Sequence, residues 1–132
     1  MYLVDTSVWI DAQSPRPRAK GRRLQELERS GAAYGLTGGI LQEILQGVRD
    51  EISFRKTRAR FSGLRIYHPL DEVETHAAAA LLYARCRWRG LTPRSSNDCL
   101  IAQIAIDHDL TLLHDDADYV KIARVEPRLK LA

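Results

Sequence analysis

The sequence predicts an α/β fold around a short, mainly parallel sheet, and two observations carry that prediction. The opening run Tyr2, Leu3 and Val4 is apolar without alternation, as in a strand covered on both faces, and it stops at Asp5 followed by two hydroxyl residues. Near the other end, residues 110–114 (LTLLH) repeat the pattern and stop at Asp115, Asp116 and Asp118. Segments of helical periodicity separate the two, so both strands are expected in one sheet, with Asp5 and Asp116 neighbours at its carboxyl edge. Open α/β sheets hold their ligands at that edge. For the first stretch taken alone, Asp5 as a cap of the following helix is an equally good reading.

With 132 residues the chain is expected to form a single domain, 1–132, and to bury a core without staples. Its apolar residues nowhere approach the roughly 18 consecutive positions of a membrane span, and the start lacks a signal-peptide pattern, so a cytoplasmic protein is expected. Cys86 and Cys99 lack metal-type spacing and are expected reduced and buried. Sixteen of the twenty basic residues are arginine, whose planar fork suits phosphate. Coding bias would give the same excess.

Taken in order, residues 16–29 read as a basic helix with Leu24 and Leu27 inward, stopped by Gly31. Residues 33–37 read as a strand, after which Gly38 and Gly39 turn into a helix carrying Ile40, Leu41, Ile44, Leu45 and Val48. Glu43 is the only acid there, and on local pattern alone such a Glu is more often at the solvent boundary than functional. Residues 51–65 are helix-like, with Ile52, Phe54, Phe61 and Leu64 set among Arg55, Lys56, Arg58, Arg60 and Arg65. Charges of one sign favour a nucleic-acid contact or an acidic protein partner.

A third strand is expected at 64–68, then a long helix at 71–89 with Val73, Ala77, Leu81, Ala84 and Trp88 as its inward stripe. The loop 92–98 (TPRSSND) leads into a buried helix capped by Ser95 or Ser96, placing Asn97 and Asp98 in the first turn near the ligand edge. Tyr119, Val120 and Ile122 dock a last helix, and residues 129–131 are a candidate edge strand.

Gathering Asp5, Glu43, Asp98, Asp116 and Asp118 would be costly, because each carboxylate raises its neighbours' pKa. A hard divalent cation, Mg²⁺ or Mn²⁺, resolves the conflict and would activate water for attack on a phosphodiester. With those five acids set aside, the net charge of +3 becomes +8 for the remainder, and a basic surface around an acidic pocket suits a polyanion. No Walker loop, Gly-x-Ser-x-Gly elbow or zinc spacing competes. His108 and His114 are expected as hydrogen-bonded residues rather than proton carriers.

VDTSVWID around Asp5, ILQEILQG around Glu43, SSNDCLIAQIA around Asp98 and LLHDDADYVKIA around Asp116 resemble, in order and at ordinary spacing, the motifs of PIN-domain ribonucleases, most closely the VapC toxins of toxin–antitoxin pairs. The resemblance implies a three-layer α/β/α fold and Mg²⁺- or Mn²⁺-dependent cleavage of RNA. Asp5, Glu43, Asp98 and Asp116 correspond to the family's catalytic acids, with Asp5, Asp98 and Asp116 at the metal and Ser7, Asn97 and Asp118 accessory. A VapB-type antitoxin and a homodimer are also implied, with Arg55, Lys56, Arg58 and Arg60 left to contact RNA or antitoxin. His114 stands where threonine is common and Tyr119 where phenylalanine is usual, and Asp115 offers a rival to Asp116.

The alternative reading is a catalytically silent PIN-like module that binds RNA or a protein, which the costly acid set disfavours. A haloacid-dehalogenase-like phosphatase would need an aspartate where Ser7 stands. A receiver module would need paired acids at the end of its first strand.

Overall fold

A computed structural model describes residues 1–132. Five strands, β1 (Tyr2–Val4), β2 (Tyr34–Thr37), β3 (Arg65–Tyr67), β4 (Thr111–Leu113) and β5 (Lys130–Leu131), pair in the order β3-β2-β1-β4-β5, all parallel. Seven helices connect them: α1 (Thr6–Ala12), α2 (Ala19–Ser30), α3 (Gly38–Gln46), α4 (Glu51–Arg60), α5 (Glu72–Trp88), α6 (Ser96–Asp107) and α7 (Ala117–Val125). Leu3 and Val4 point to opposite faces of β1, and both are fully buried, as are Leu112 and Leu113 on β4. Helices therefore cover both faces of the sheet. They form two packed sets, α1 with α2 and α3 on one side, and α5, α6 and α7 together on the other.

The register places Leu3 opposite Leu112 and Val4 opposite Leu113, so β1 and β4 end level with each other. Two close approaches fix the neighbouring elements. A Cβ at Gly35 would overlap the Arg65 carbonyl and the Tyr67 ring, so only glycine lets β3 lie so tightly on β2. Gly21 lets α2 pack against the end of α1, where Asp11 Oδ2 accepts from the backbone N–H groups of Arg18 and Gly21. The Asp11 carboxylate thus caps α2 in place of Arg18, whose own side chain caps nothing.

Several expectations change. The second helix begins at Ala19 rather than residue 16, after Pro15 and Pro17, and Gly38 and Gly39 form the first turn of α3 under Thr37, whose hydroxyl accepts from Ile40 N–H. The fourth helix stops at Arg60 instead of reaching residue 65; Ile52 and Phe54 are exposed, and of its expected apolar set only Phe61 is buried, edge-on to Trp9 at 5.0 Å. The largest correction concerns α5. Val73, Ala77, Leu81 and Trp88 face outward, and the core side is Thr75, Ala79, Leu82 and Cys86. Val120 is also exposed, while Tyr119 and Ile122 are buried as expected, and residues 130–131 do form an edge strand. Cys86 and Cys99 are free and buried. No helix is long and apolar enough to cross a membrane.

Candidate active site

The carboxyl edge of β1 and β4 delivers Asp5 and Asp116, and the first turn of α6 delivers Asp98 to the same place. Asp5 occupies the N-cap position of α1, but its side chain caps nothing there. Its Oδ1 instead accepts from the Tyr119 hydroxyl at 2.9 Å and its Oδ2 from Ser7 Oγ at 3.0 Å. The same Tyr119 hydroxyl lies 3.4 Å from Asp98 Oδ1, so one buried phenol stands between two acids. Burial among carboxylates holds that phenol far above its usual pKa, which keeps it a proton donor.

Carboxylate oxygens of Asp98, Asp116 and Asp118 lie within 4.8 Å of one another. Asp98 bears the cost: burial first, then the charges of Asp5, Asp116 and Asp118, push its pKa up to about 7. An all-oxygen set carrying unbalanced negative charge fits a hard divalent cation. Asp118 differs from the others. It is only 2% exposed, and burial would raise its pKa, yet hydrogen bonds from Arg94 and Lys121 outweigh that effect and leave it below the usual range. Its Oδ2 accepts from Arg94 backbone N–H (3.0 Å) and Nε (3.1 Å), and its Oδ1 from Lys121 Nζ (3.2 Å).

Glu43 reaches the cleft from α3 with both oxygens held: Thr6 Oγ1 donates to Oε2 and Asn97 Nδ2 to Oε1, each at 2.6 Å. Each donor sits beside one of the acids in sequence, which ties Glu43 to Asp5 through Thr6 and to Asp98 through Asn97. Asp116 caps α7, its Oδ1 accepting from Asp118 N–H at 2.9 Å and from Arg94 Nη2 at 3.1 Å. Asp115 turns away and pairs with Arg18 at 2.7 Å. His114 is buried, and burial together with Lys20 depresses its pKa; the neutral ring accepts Asp116 N–H at Nδ1, a structural contact as expected.

The structure thus brings Asp5, Ser7, Glu43, Asn97, Asp98, Asp116 and Asp118 to one edge. It leaves Arg55, Lys56, Arg58 and Arg60 elsewhere, with no hydrogen bond or ion pair to any of the acids just named; Arg60 instead lines a cavity of about 250 Å³ with Trp9, Tyr34, Phe61 and Leu64. Three polar residues at the site escaped the sequence reading: Thr6, Arg94 and Lys121. Thr6 was visible as one of two hydroxyls after Asp5, and Arg94 as the lone cation of the loop before Asp98.

A parallel α/β sheet with acids gathered at the ends of its central strand and that strand's neighbour defines a class, and the PIN domain family model matches residues 2–125. The chain belongs to that family. It is 36% identical over 128 residues to the VapC ribonuclease Mb1587 of Mycobacterium bovis and to ribonuclease VapC11 of Mycobacterium tuberculosis, spanning 95% of this chain and 93% of theirs. Among solved structures, VapBC2 from Rickettsia felis, bound to a DNA fragment from their promoter, matches with a TM-score of 0.74 at 21% identity, covering 99% of this chain and 96% of that one. FitAcB from Neisseria gonorrhoeae matches at 0.71. These likenesses agree with the three-layer fold.

Proposed function

We propose that the protein is a metal-dependent endoribonuclease and the toxin of a toxin–antitoxin pair. One observation carries the chemistry: carboxylate oxygens of Asp98, Asp116 and Asp118 lie within 4.8 Å of one another, the Tyr119 hydroxyl joins Asp5 to Asp98, and Asp98 is left short of neutralising charge. Kinship with the mycobacterial ribonucleases supports RNA as the substrate. A silent binding module would have no use for so costly an arrangement.

Asp5, Asp98 and Asp116 would hold Mg²⁺ or Mn²⁺, an ion that polarises a phosphoryl oxygen and activates water for in-line attack. The chain's own residues do the positioning. Tyr119 fixes Asp5 and Asp98 through one hydroxyl, and Ser7 holds the other oxygen of Asp5. Thr6 and Asn97 hold the two oxygens of Glu43 in place, where Glu43 would accept a proton from the attacking water.

For α4 the surroundings favour a protein partner. Arg60 rims the groove of Trp9, Tyr34, Phe61 and Leu64, and Arg55 and Arg58 line the next one, with Leu41 and Ile66. Glu28 also lines the first groove, so it is the second, an apolar floor under Arg55 and Arg58, that suits an amphipathic acidic segment of a VapB-type antitoxin. On the opposite set of helices, the outward stripe Val73, Leu81 and Trp88 of α5 suits pairing with a second copy.

Cleavage of total cellular RNA by the purified, antitoxin-free chain tests the reading, run with Mg²⁺ or Mn²⁺, with EDTA, and with Asp98→Asn, and with new ends mapped by sequencing. Cuts at a few sites that need metal and Asp98 are expected. RNA left intact under every condition would return the domain to the silent class.

A further inference from the structure

Arg94 has contacts that a structural ion pair does not explain. Its backbone N–H and Nε both donate to Asp118 Oδ2, a pairing that anchors the loop before α6 to a carboxylate almost wholly out of water. That alone would satisfy Asp118, whose other oxygen Lys121 occupies. Yet the guanidinium reaches further, and Nη2 donates to Asp116 Oδ1 at the edge of the acid cluster. The side chain is 77% exposed, and no hydrogen bond engages Nη1. Arg94 is therefore fixed at its root, holds one acid of the site at its tip, and keeps a donor free towards solvent.

We propose that Arg94 is the site's own exchangeable cation. While the cluster holds no metal, Arg94 neutralises Asp116. When a divalent ion is bound, Arg94 gives up Asp116 but keeps its anchor on Asp118, and its fork turns to a phosphate of the RNA lying over the site. Asp118 is then the residue that positions Arg94, its two oxygens held by Arg94 and Lys121. A planar guanidinium held at Nε has the geometry to serve both partners, a carboxylate oxygen first and a phosphate afterwards. This assignment rests on the nuclease reading above.

The test is calorimetric titration of Mn²⁺ into wild type, Arg94→Gln and Lys121→Gln, followed by steady-state cleavage at saturating Mn²⁺. Lys121→Gln removes the same charge from Asp118 without touching Asp116, so it controls for the general field. Arg94→Gln is expected to bind Mn²⁺ about fivefold tighter, the gain being modest because the competing pair is exposed. Lys121→Gln should stay within about twofold of wild type. In cleavage, Arg94→Gln should raise KM for RNA several-fold with a smaller change in kcat, and Arg94→Lys, which keeps the charge but loses the fork, should restore KM only in part.

Equal tightening in both Gln variants, or none in Arg94→Gln, would overturn the exchange. An unchanged KM would overturn the phosphate contact. A wild-type chain that binds no Mn²⁺ and cuts nothing would instead defeat the nuclease reading, and the exchange with it.

Discussion

Replacing Asp98 by asparagine should make the metal-free protein more stable, and only at the right pH. The Asp98 carboxyl moves from an ordinary 3.8 in the unfolded chain to about 7 in the fold. A displacement of that size corresponds to at most about 4 kcal/mol, and since the group stays partly open to water, screening reduces it to about 2 kcal/mol. The sign follows from linkage. Below pH 4 the group is protonated in both states and costs nothing. Between pH 4 and 7 the unfolded chain ionises first, so stability falls as pH rises, and above 7 the whole cost is present. The amide introduced by Asp98→Asn carries no such charge and keeps an oxygen for the Tyr119 hydroxyl. Melting curves of both proteins in EDTA should therefore nearly coincide at pH 4 and separate by about 5–10 °C in favour of Asp98→Asn at pH 8. Added Mn²⁺ should reverse the order by stabilising only the wild type. A difference that does not grow with pH, or a less stable variant at pH 8, would refute the claim that Asp98 is held against like charge.

Other substitutions probe single contacts. Thr6→Val removes the hydroxyl that holds Glu43 and should lower the cleavage rate about tenfold with an unchanged melting temperature, as read by single-turnover kinetics and circular dichroism. Tyr119→Phe deprives Asp5 of a buried donor and should cost about 1–2 kcal/mol in urea denaturation, with the Asp98 titration followed by NMR moving further upward, because the lost hydroxyl favoured its charged form. Gly35→Ala drives a methyl into the Arg65 carbonyl and the Tyr67 ring; about 1–3 kcal/mol of destabilisation is expected, with little effect on metal affinity.

The strands and the acids at their ends were legible because a two-faced buried strand is a continuous apolar run and has few other meanings. Asp98 was legible for a related reason, since a capped turn leading into Ile101, Ala102, Ile104 and Ala105 must start near the sheet. The face of α5 was not. Its alanines make apolar spacing nearly continuous around the helix, so 73-77-81-88 and 75-79-82-86 are equally helical, and packing against α6 selects the second. Nor could sequence place Thr6, Arg94 or Lys121 in the site. Thr6 meets Glu43 across 37 residues, and Arg94 meets Asp116 across 22, pairings that exist only once the sheet sets α3, α6 and α7 around one edge. The basic run of α4 was visible as charge, but its separation from the acids was visible only in the fold.

The measurement that bears most directly on the central claim is diffraction from crystals grown with Mn²⁺, with data collected at the manganese absorption edge. An anomalous peak bounded by Asp5, Asp98 and Asp116, with the Arg94 tip withdrawn from Asp116, is the result expected of a metal centre. Well-ordered crystals with no peak at that edge, and with Arg94 still seated on Asp116 at high Mn²⁺, would contradict it.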